Sequence, residues 1–393
     1  MNKAKQFLLS LFALLSIATG AKAQDGVTIN NENFPDDTFR NYVSTNFDLD
    51  GTGTLNNAEI AGATEIYAFS MGIKSLKGIE HFTSLQKLQV DQNELTELDV
   101  TKCPDLYYLS ATDNQLTAID VSNCLKMYRL NLNYNKLTAI DVSKLTGMKE
   151  FGCASNQLTS IDVSKNTELD TLAVFVNQLK ELDVTKCTHL VGLYCDKNQL
   201  TELEVTNCPQ LGELTCNENL LTELDVTNCP QLKILDCNGN QLTALDLSQH
   251  AAIVELNCSG NQLTQLKLCP NGNIVNIYAN LNCLKGNAVD DLIASLPAQE
   301  SAFITTIDKD EPDLEQNVFT KDQVSALNAK GWTAYLWQNG EWIVDEGSDP
   351  TAISVPLAEP SADKSLYDLS GRKLSRSPHK GIAIRNGRKY IYK

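Results

Sequence analysis

The sequence predicts an α/β-type repeat solenoid, a right-handed coil with a parallel β-sheet on its concave side. An N-x-L motif returns every 21 residues, with its asparagine at ten positions: Asn93, Asn114, Asn135, Asn156, Asn177, Asn198, Asn219, Asn240, Asn261 and Asn282. An alternating L-x-(C/V/L/A) stretch precedes each asparagine and is typical of a short strand. Because one such turn cannot bury its own apolar face, successive turns must stack on one another.

Each repeat contains the residues that its turn needs. The asparagine side chain is expected to satisfy backbone groups that the bending chain would leave unpaired. In the first complete copy, Leu95, Leu98 and Val100 are expected to point into the coil. A period in the twenties with this leucine spacing is the leucine-rich-repeat signature. We assign the repeats to residues 63–284.

Most of the cysteines follow the same period. Five stand three residues before an asparagine and five stand ten residues after one: Cys153, Cys195, Cys216, Cys237 and Cys258, then Cys103, Cys124, Cys187, Cys208 and Cys229. Cysteines in register on parallel strands are a poor match to disulfide geometry. The pattern favours buried thiols, and the alternative of a metal site lacks C-x-x-C spacing. Cys269 and Cys283 lie outside both sets, and their state stays open.

Residues 1–23 have the pattern of a signal peptide. Lys3 and Lys5 precede an apolar run, and a small-residue cleavage site ends at Ala23. We therefore expect an exported protein at the cell surface or outside the cell, with the periplasm as the alternative, and no transmembrane segment. Cleavage would remove three lysines and no acid, taking the net charge from -17 to -20. Nucleic acid is then an unsuitable partner.

An EF-hand-like loop lies within the predicted N-terminal cap, residues 24–62. A helix is expected to lead into this loop from Asp36 to Phe47. The twelve-residue loop offers oxygen ligands at the spacing a Ca²⁺ ion needs, from Asp48, Asp50, Thr52, the Thr54 carbonyl, Asn56 and Glu59. We predict a Ca²⁺ ion with a structural role. The alternative is a loop that caps the repeats with no ion.

The period is lost after Asn282, and residues 285–348 are predicted to form a mixed α/β C-terminal cap. Helices are expected near 289–296 and 321–330, each followed by a strand. Trp332, Trp337 and Trp342 are expected to seal the end of the coil, with sugar binding as the alternative. Residues 349–393 form a predicted linker and small β module. Its last part, 361–393, holds nine Lys and Arg against Asp363 and Asp368.

Two stretches carry family resemblances. FPDDTFRNYVSTNFDLDGTGTLNNAEI, then IKSLKGI and the repeats, resembles internalin-like surface leucine-rich-repeat proteins of bacteria. The tail, SLYDLSGRKLSRSPHKGIAIRNGRKYIYK, is similar to type IX secretion sorting modules of the Bacteroidetes, with Gly371 and Gly381 at its turns. The resemblance implies adhesion or recognition of a protein on a host or neighbouring cell, and it implies no reaction.

Strand alternation predicts which side chains face the concave surface. Among them, Tyr108, Arg129, Phe175, Tyr194 and Asp196 include the residue types enriched in interface hot spots. We expect a monomer that binds a protein ligand there. The alternatives are a glycan held near Tyr194, Asp196 and Asp236, or a structural envelope component. No catalytic motif accompanies the four histidines, so we do not expect an enzyme.

Overall fold

The computed structural model describes residues 26–348 and the backbone of four short strands between 366 and 392. The predicted signal peptide and the linker after Ser348 lie outside the described residues. None of the described helices has the length and hydrophobicity needed to cross a bilayer.

A 14-stranded sheet runs through the repeats and into the C-terminal cap. Its strands are β3 (Glu65–Tyr67), β4 (Lys87–Gln89), β5 (Tyr108–Ser110), β6 (Arg129–Asn131), β7 (Glu150–Gly152), β8 (Thr171–Ala173), β9 (Gly192–Tyr194), β10 (Glu213–Thr215), β11 (Ile234–Asp236), β13 (Glu255–Asn257), β15 (Asn276–Tyr278), β16 (Ala302–Asp308), β17 (Trp332–Gln338) and β18 (Glu341–Val344). Neighbours pair in parallel except β17 and β18. A separate parallel pair joins β12 (Ala244–Asp246) to β14 (Gln265–Lys267). The solenoid prediction is confirmed.

The register of the sheet follows the repeat. Leu109 is opposite Leu130, and Leu214 is opposite Leu235. The middle residue of each short strand is buried, so the residues on either side of it face the concave surface. The predicted alternation of inward and outward side chains is therefore present in every turn of the repeat.

The repeated asparagines form a buried hydrogen-bonded ladder. The Asn198 amide Nδ2 donates to the carbonyls of Val174 and Cys195, both at 3.0 Å. Its Oδ1 accepts from the backbone N–H of Leu179 in the preceding turn at 3.0 Å. Each asparagine thus joins two turns, which explains why it recurs where apolar residues would otherwise fill the coil.

The cysteines of both sets lie inside the coil as unpaired thiols, and Cys269 and Cys283 are half-buried. Burial raises the pKa of the Cys153 and Cys258 thiols to about 12. At neutral pH these groups stay protonated and pack as small apolar side chains.

The N-terminal cap contains β1 (Val27–Thr28), α1 (Asp37–Phe47), β2 (Thr54–Leu55) and α2 (Asn57–Gly62), with a 3₁₀ turn at Ile79–His81. Asp36 begins α1, because its carboxylate accepts the Phe39 N–H at 2.9 Å. The same carboxylate accepts the Lys74 N–H at 2.8 Å, which fastens the cap to the first turn of the coil.

The C-terminal cap adds α3 (Asn287–Ser295) and α4 (Lys321–Ala329), which alternate with β16 and β17. Trp332 is buried, and its indole Nε1 donates to the Pro297 carbonyl at 2.8 Å. It seals the coil as expected. Trp337 and Trp342 do not, because alternation along β17 turns Trp337 outward and Trp342 on β18 is 43% exposed. For these two the sealing prediction is wrong.

The last residues form a second unit, Asp349–Lys393. Its described strands are β19 (Leu366–Tyr367), β20 (Lys373–Leu374), β21 (Gly381–Arg385) and β22 (Arg388–Tyr392). They pair antiparallel in the order β20-β19-β21-β22.

Candidate functional site

The first group of predicted concave residues lies on adjacent strands β5, β6 and β7. The Arg129 guanidinium forms an ion pair with Glu150 and lies 5.9 Å from the centre of the Tyr108 ring. Arg129 therefore has a carboxylate on one side and an aromatic ring on the other. This holds its charge in a fixed place while leaving the side chain exposed.

Small residues form the next part of the face. A Cβ on Gly152 would come within 3.0 to 3.1 Å of the Asn131 and Asn133 side chains, so these amides lie across the glycine. Ala154 is buried, and Phe175 on the following turn is half-buried. The structure thus gives Phe175 the partial cover that an outward phenylalanine needs, while leaving part of its ring to solvent.

The second group surrounds Tyr194 and Asp196. The Tyr194 hydroxyl donates to Glu213 at 2.8 Å. Asp196 accepts the Thr215 hydroxyl at 2.6 Å and the Asn217 side-chain amide at 2.7 Å. Burial raises the pKa of the Asp196 carboxyl, and burial together with Glu213 raises the pKa of Tyr194 to about 12. Both side chains are therefore fixed by their neighbours before any ligand arrives.

The structure brings together the three carboxylates of the predicted Ca²⁺ loop. One oxygen each of Asp48, Asp50 and Glu59 lies within 4.8 Å of the others. The Thr52 hydroxyl donates to the Thr54 carbonyl at 3.1 Å, so these two oxygens are also neighbours. Hydrogen bonds from Thr52 lower the pKa of the Asp50 carboxyl, which favours its ionised form.

Four of the predicted loop ligands already accept backbone N–H groups. Asp48 accepts those of Thr52 and Gly53, and Asp50 accepts that of Thr52. The Asn56 oxygen accepts the N–H groups of Ala58 and Glu59 at the start of α2. Glu59 Oε2 accepts the Asn56 N–H at 2.9 Å, and Oε1 accepts the Leu49 N–H at 2.7 Å. The donor set suits a hard cation, and Glu59 Oε2, which accepts one N–H, keeps a lone pair for an ion.

Several further residues of the concave face contribute to these groups. Glu150, Glu213 and Asn217 hold the predicted residues in place, and their outward strand positions are the signal that could have found them. An aromatic row also continues past the repeats. The Phe303 ring centre lies 5.3 Å from that of Tyr278 and 6.1 Å from that of Tyr335. Phe303 and Tyr335 lie beyond the 21-residue period, so the repeat pattern did not predict their outward positions.

The histidines do not gather into a site within the described residues. His81 and His189 lie on separate turns, and His379 is outside the described residues. His250 is buried, and its Nε2 lies 2.7 Å from the Val226 carbonyl. It stands 21 residues after Cys229. It occupies the next position of the cysteine series.

No family model matches the chain. It is 36% identical over 72 residues to Internalin J of Listeria monocytogenes serotype 4b (strain F2365), a match that spans 18% of this chain and 8% of that protein. It is similar in structure to the functional domain of InlJ from Listeria monocytogenes, described as including a cysteine ladder. That similarity has a TM-score of 0.56 and 26% identity, over 80% of this chain and 82% of the other.

A weaker likeness links the chain to an internalin (inlF) from Listeria monocytogenes str. 4b F2365. The TM-score is 0.46 and the identity 21%, over 70% of this chain and 97% of that one. The similarity to the InlJ domain and the register of the sheet lead to the same conclusion. In fold, the chain is an internalin-like leucine-rich-repeat solenoid.

Proposed function

We propose that this chain is an exported recognition protein that binds a protein partner through its concave face at the bacterial cell surface. The observation that carries the proposal is the pair of prearranged groups on that face. Tyr108 and Arg129 form one group, and Tyr194 and Asp196 form the other. Neighbouring strands of a sheet lie about 4.8 Å apart, so the four steps from β5 to β9 separate Tyr108 from Tyr194 by roughly 19 Å.

That separation suits a protein surface better than a small molecule. Tyrosine and arginine are enriched among the hot spots of protein interfaces, and side chains fixed in advance lose little entropy on binding. The likeness to the InlJ domain supports a shared architecture. The proposal includes no catalysis, since no histidine of the described residues is paired with a nucleophile. The predicted signal peptide and sorting-like tail support export and display.

The test is a binding screen with a matched variant. The full chain is labelled and applied to an array of secreted and extracellular protein domains and to a glycan array. The double variant Arg129→Ala, Tyr194→Ala should lose at least about 30-fold in affinity for any protein hit, since even one hot spot costs about 2 kcal/mol or more. The control variant Lys186→Ala, Glu202→Ala changes two exposed residues of the same coil outside the concave strands and should bind like the parent.

Either of two results would contradict the proposal. One is a protein hit to which the Arg129→Ala, Tyr194→Ala variant and the control variant bind equally well. The other is saturable binding on the glycan array alone, which would favour the glycan alternative near Tyr194, Asp196 and Asp236.

We also propose that the loop from Asp48 to Glu59 binds Ca²⁺ and that the ion stabilises the N-terminal cap. The support is the convergence of three carboxylates within 4.8 Å. The ion would hold the loop between α1 and α2, while Asp36 fastens α1 to the repeats. Binding to the folded state alone stabilises a protein by about 2.7 kcal/mol at a 100-fold excess over Kd.

Glu59→Gln is the informative variant for this loop. Glutamine at this position can still close the capping box with Asn56, so the start of α2 should survive, while the charge that attracts the ion is lost. We expect Ca²⁺ to raise the unfolding midpoint of the parent over that in chelator and to leave the variant unchanged. The exposed Glu97→Gln serves as the control and should respond like the parent. Equal midpoints of the parent in Ca²⁺ and in chelator would refute the proposal.

A further inference from the structure

The hairpin that ends the 14-stranded sheet has a defined hydrogen-bonding pattern. Asn339 and Gly340 connect β17 to β18, both with positive φ, as a two-residue hairpin turn requires. Gln338 opposite Glu341 closes this turn and forms a hydrogen-bonded pair, and such pairs alternate along an antiparallel ladder. Leu336 and Ile343 are therefore the next bonded pair. The backbone N–H and C=O groups of Trp342 and Val344 then point away from β17.

β18 is the end strand of the sheet, and its residues are all exposed. Trp342 and Val344 lie on one face of the strand and are 43% and 57% exposed. Ile343 lies on the other face and is 41% exposed. The Trp342 ring packs against Trp337 on the concave side, with 4.8 Å between ring centres. Natural edge strands are commonly protected by an inward charge, a lysine or a proline. β18 contains neither lysine nor proline, and its one charged residue, Glu341, lies at its start.

The opposite end of the sheet is protected. The first strand, β3, donates its Tyr67 N–H to the hydroxyl of Tyr42 on α1 at 2.9 Å. A helix thus covers the outer side of β3. Within residues 26–348, no corresponding contact to the outer side of β18 is present. Among those residues, the outer side of the end strand is therefore uncovered at the C-terminal end of the sheet and covered at the N-terminal end.

The acidic residues around β18 favour a partner strand with basic residues at its ends. Glu341 begins β18 and the exposed Glu346 follows it, and Asp310 accepts the N–H groups of Asn339 and Gly340 at the turn. From 331 to 348 the sequence contains no Lys or Arg. A strand added here would place apolar side chains beside Trp342, Ile343 and Val344, and basic side chains would suit both of its ends.

A second copy of the chain fits this edge poorly. A second β18 would bring Glu341 and the nearby Glu346, and no Lys or Arg between 331 and 348, so it lacks the basic ends that suit this edge. Both molecules also carry a large negative charge.

We propose that β18 is a docking edge at which a partner protein adds an extended strand, with alternating apolar residues between basic flanks. This site is separate from the concave groups around Arg129 and Tyr194. The backbone of Trp342 and Val344 supplies the hydrogen bonds, the apolar side chains of β18 set the register, and Glu341 and Glu346 select the basic ends.

The probe is a fluorescent nonapeptide, Lys-Lys-Val-Thr-Val-Thr-Val-Lys-Lys, titrated with the full chain. A peptide with glutamates in place of the four lysines tests the charge argument, and one with proline in place of the central valine tests strand addition. The basic peptide should bind at least about tenfold more tightly than either, the ratio that one strong contact supplies. Amide exchange at Trp342 and Val344 should slow when it binds.

Val344→Pro removes an outward N–H without removing a bond to β17, so the hairpin should persist. Val344→Pro should lower the affinity for the basic peptide by about tenfold or more. Tyr194→Ala should bind this peptide like the parent. If Val344→Pro disturbs the tryptophan fluorescence, Glu341→Lys with Glu346→Lys replaces it, and this variant should lose the preference for the basic peptide.

Three outcomes would overturn the proposal. The first is equal binding of the basic, acidic and proline peptides, which would show that neither charge nor strand pairing contributes to the affinity. The second is unchanged amide exchange at Trp342 and Val344 with peptide bound. The third is a dimer in sedimentation that Val344→Pro dissociates, which would make a second copy the occupant.

Discussion

Asn198→Ala is expected to destabilise the solenoid by about 1 to 3 kcal/mol, because it leaves a buried backbone donor without an acceptor. The Leu179 N–H bonds only to Asn198 Oδ1 in the described contacts. The three carbonyls that accept the Asn198 amide each keep another donor, so losing this bond costs them less. The Asp196 carbonyl keeps the Val176 N–H. Val174 keeps the amide of Asn177, and Cys195 keeps that of Asn219.

Far-UV circular dichroism during urea unfolding of the full chain measures this cost. Asn207→Ala is the matched control, because Asn207 is exposed and its loss should change the free energy of unfolding by less than about 0.5 kcal/mol. Asn198→Asp is a second variant. It keeps an oxygen for Leu179 but turns a carboxylate oxygen toward three carbonyls, so it should also destabilise the solenoid. If Asn198→Ala matched the control, the ladder would not be a source of stability.

This ladder shows how much of the fold could be predicted. A 21-residue period fixes which residue bends the chain and which ones face inward, because neighbouring turns are chemically alike. Asn317 escaped the prediction although it continues the ladder. Its Oδ1 accepts the Leu284 N–H at 2.8 Å, and its amide donates to the Ala279 carbonyl. It stands 35 residues after Asn282, since α3 and β16 lengthen that turn.

The direction of the tryptophans was predictable in principle. Asn339-Gly340 between two runs rich in apolar residues is a strong hairpin signal, and a hairpin would have placed Trp342 opposite Trp337 rather than over the end of the coil. The side-chain contacts of the candidate site could not be predicted in the same way. Alternation identified Tyr194 and Asp196 as outward residues, but their bonds to Glu213 and Thr215 depend on side-chain conformations across turns, which a one-dimensional pattern does not contain.

Gly331→Ala is expected to destabilise the C-terminal cap by about 3 to 5 kcal/mol. Gly331 joins α4 to β17 with φ +84°, a conformation that costs alanine about 1 kcal/mol by itself. A Cβ at this position would lie 1.6 Å from the Gln299 carbonyl oxygen, which is backbone and cannot rotate away. The connection between α3 and β16 would have to move. Gly340→Ala separates the two effects, because its φ is +80° and nothing lies within 4 Å of its Cβ.

Tryptophan fluorescence reads this cap alone, since Trp332, Trp337 and Trp342 are the only tryptophans of the chain and all lie in β17 and β18. A solenoid can lose an end repeat before its middle unfolds. We therefore expect Gly331→Ala to lower the urea midpoint seen by fluorescence well below the one seen by circular dichroism, and to abolish binding of the basic peptide at β18. Gly340→Ala should lower the fluorescence midpoint only slightly. Equal effects of the two substitutions would mean that the backbone at Gln299 yields readily, and that the end of the sheet is not held in the way that the docking edge requires.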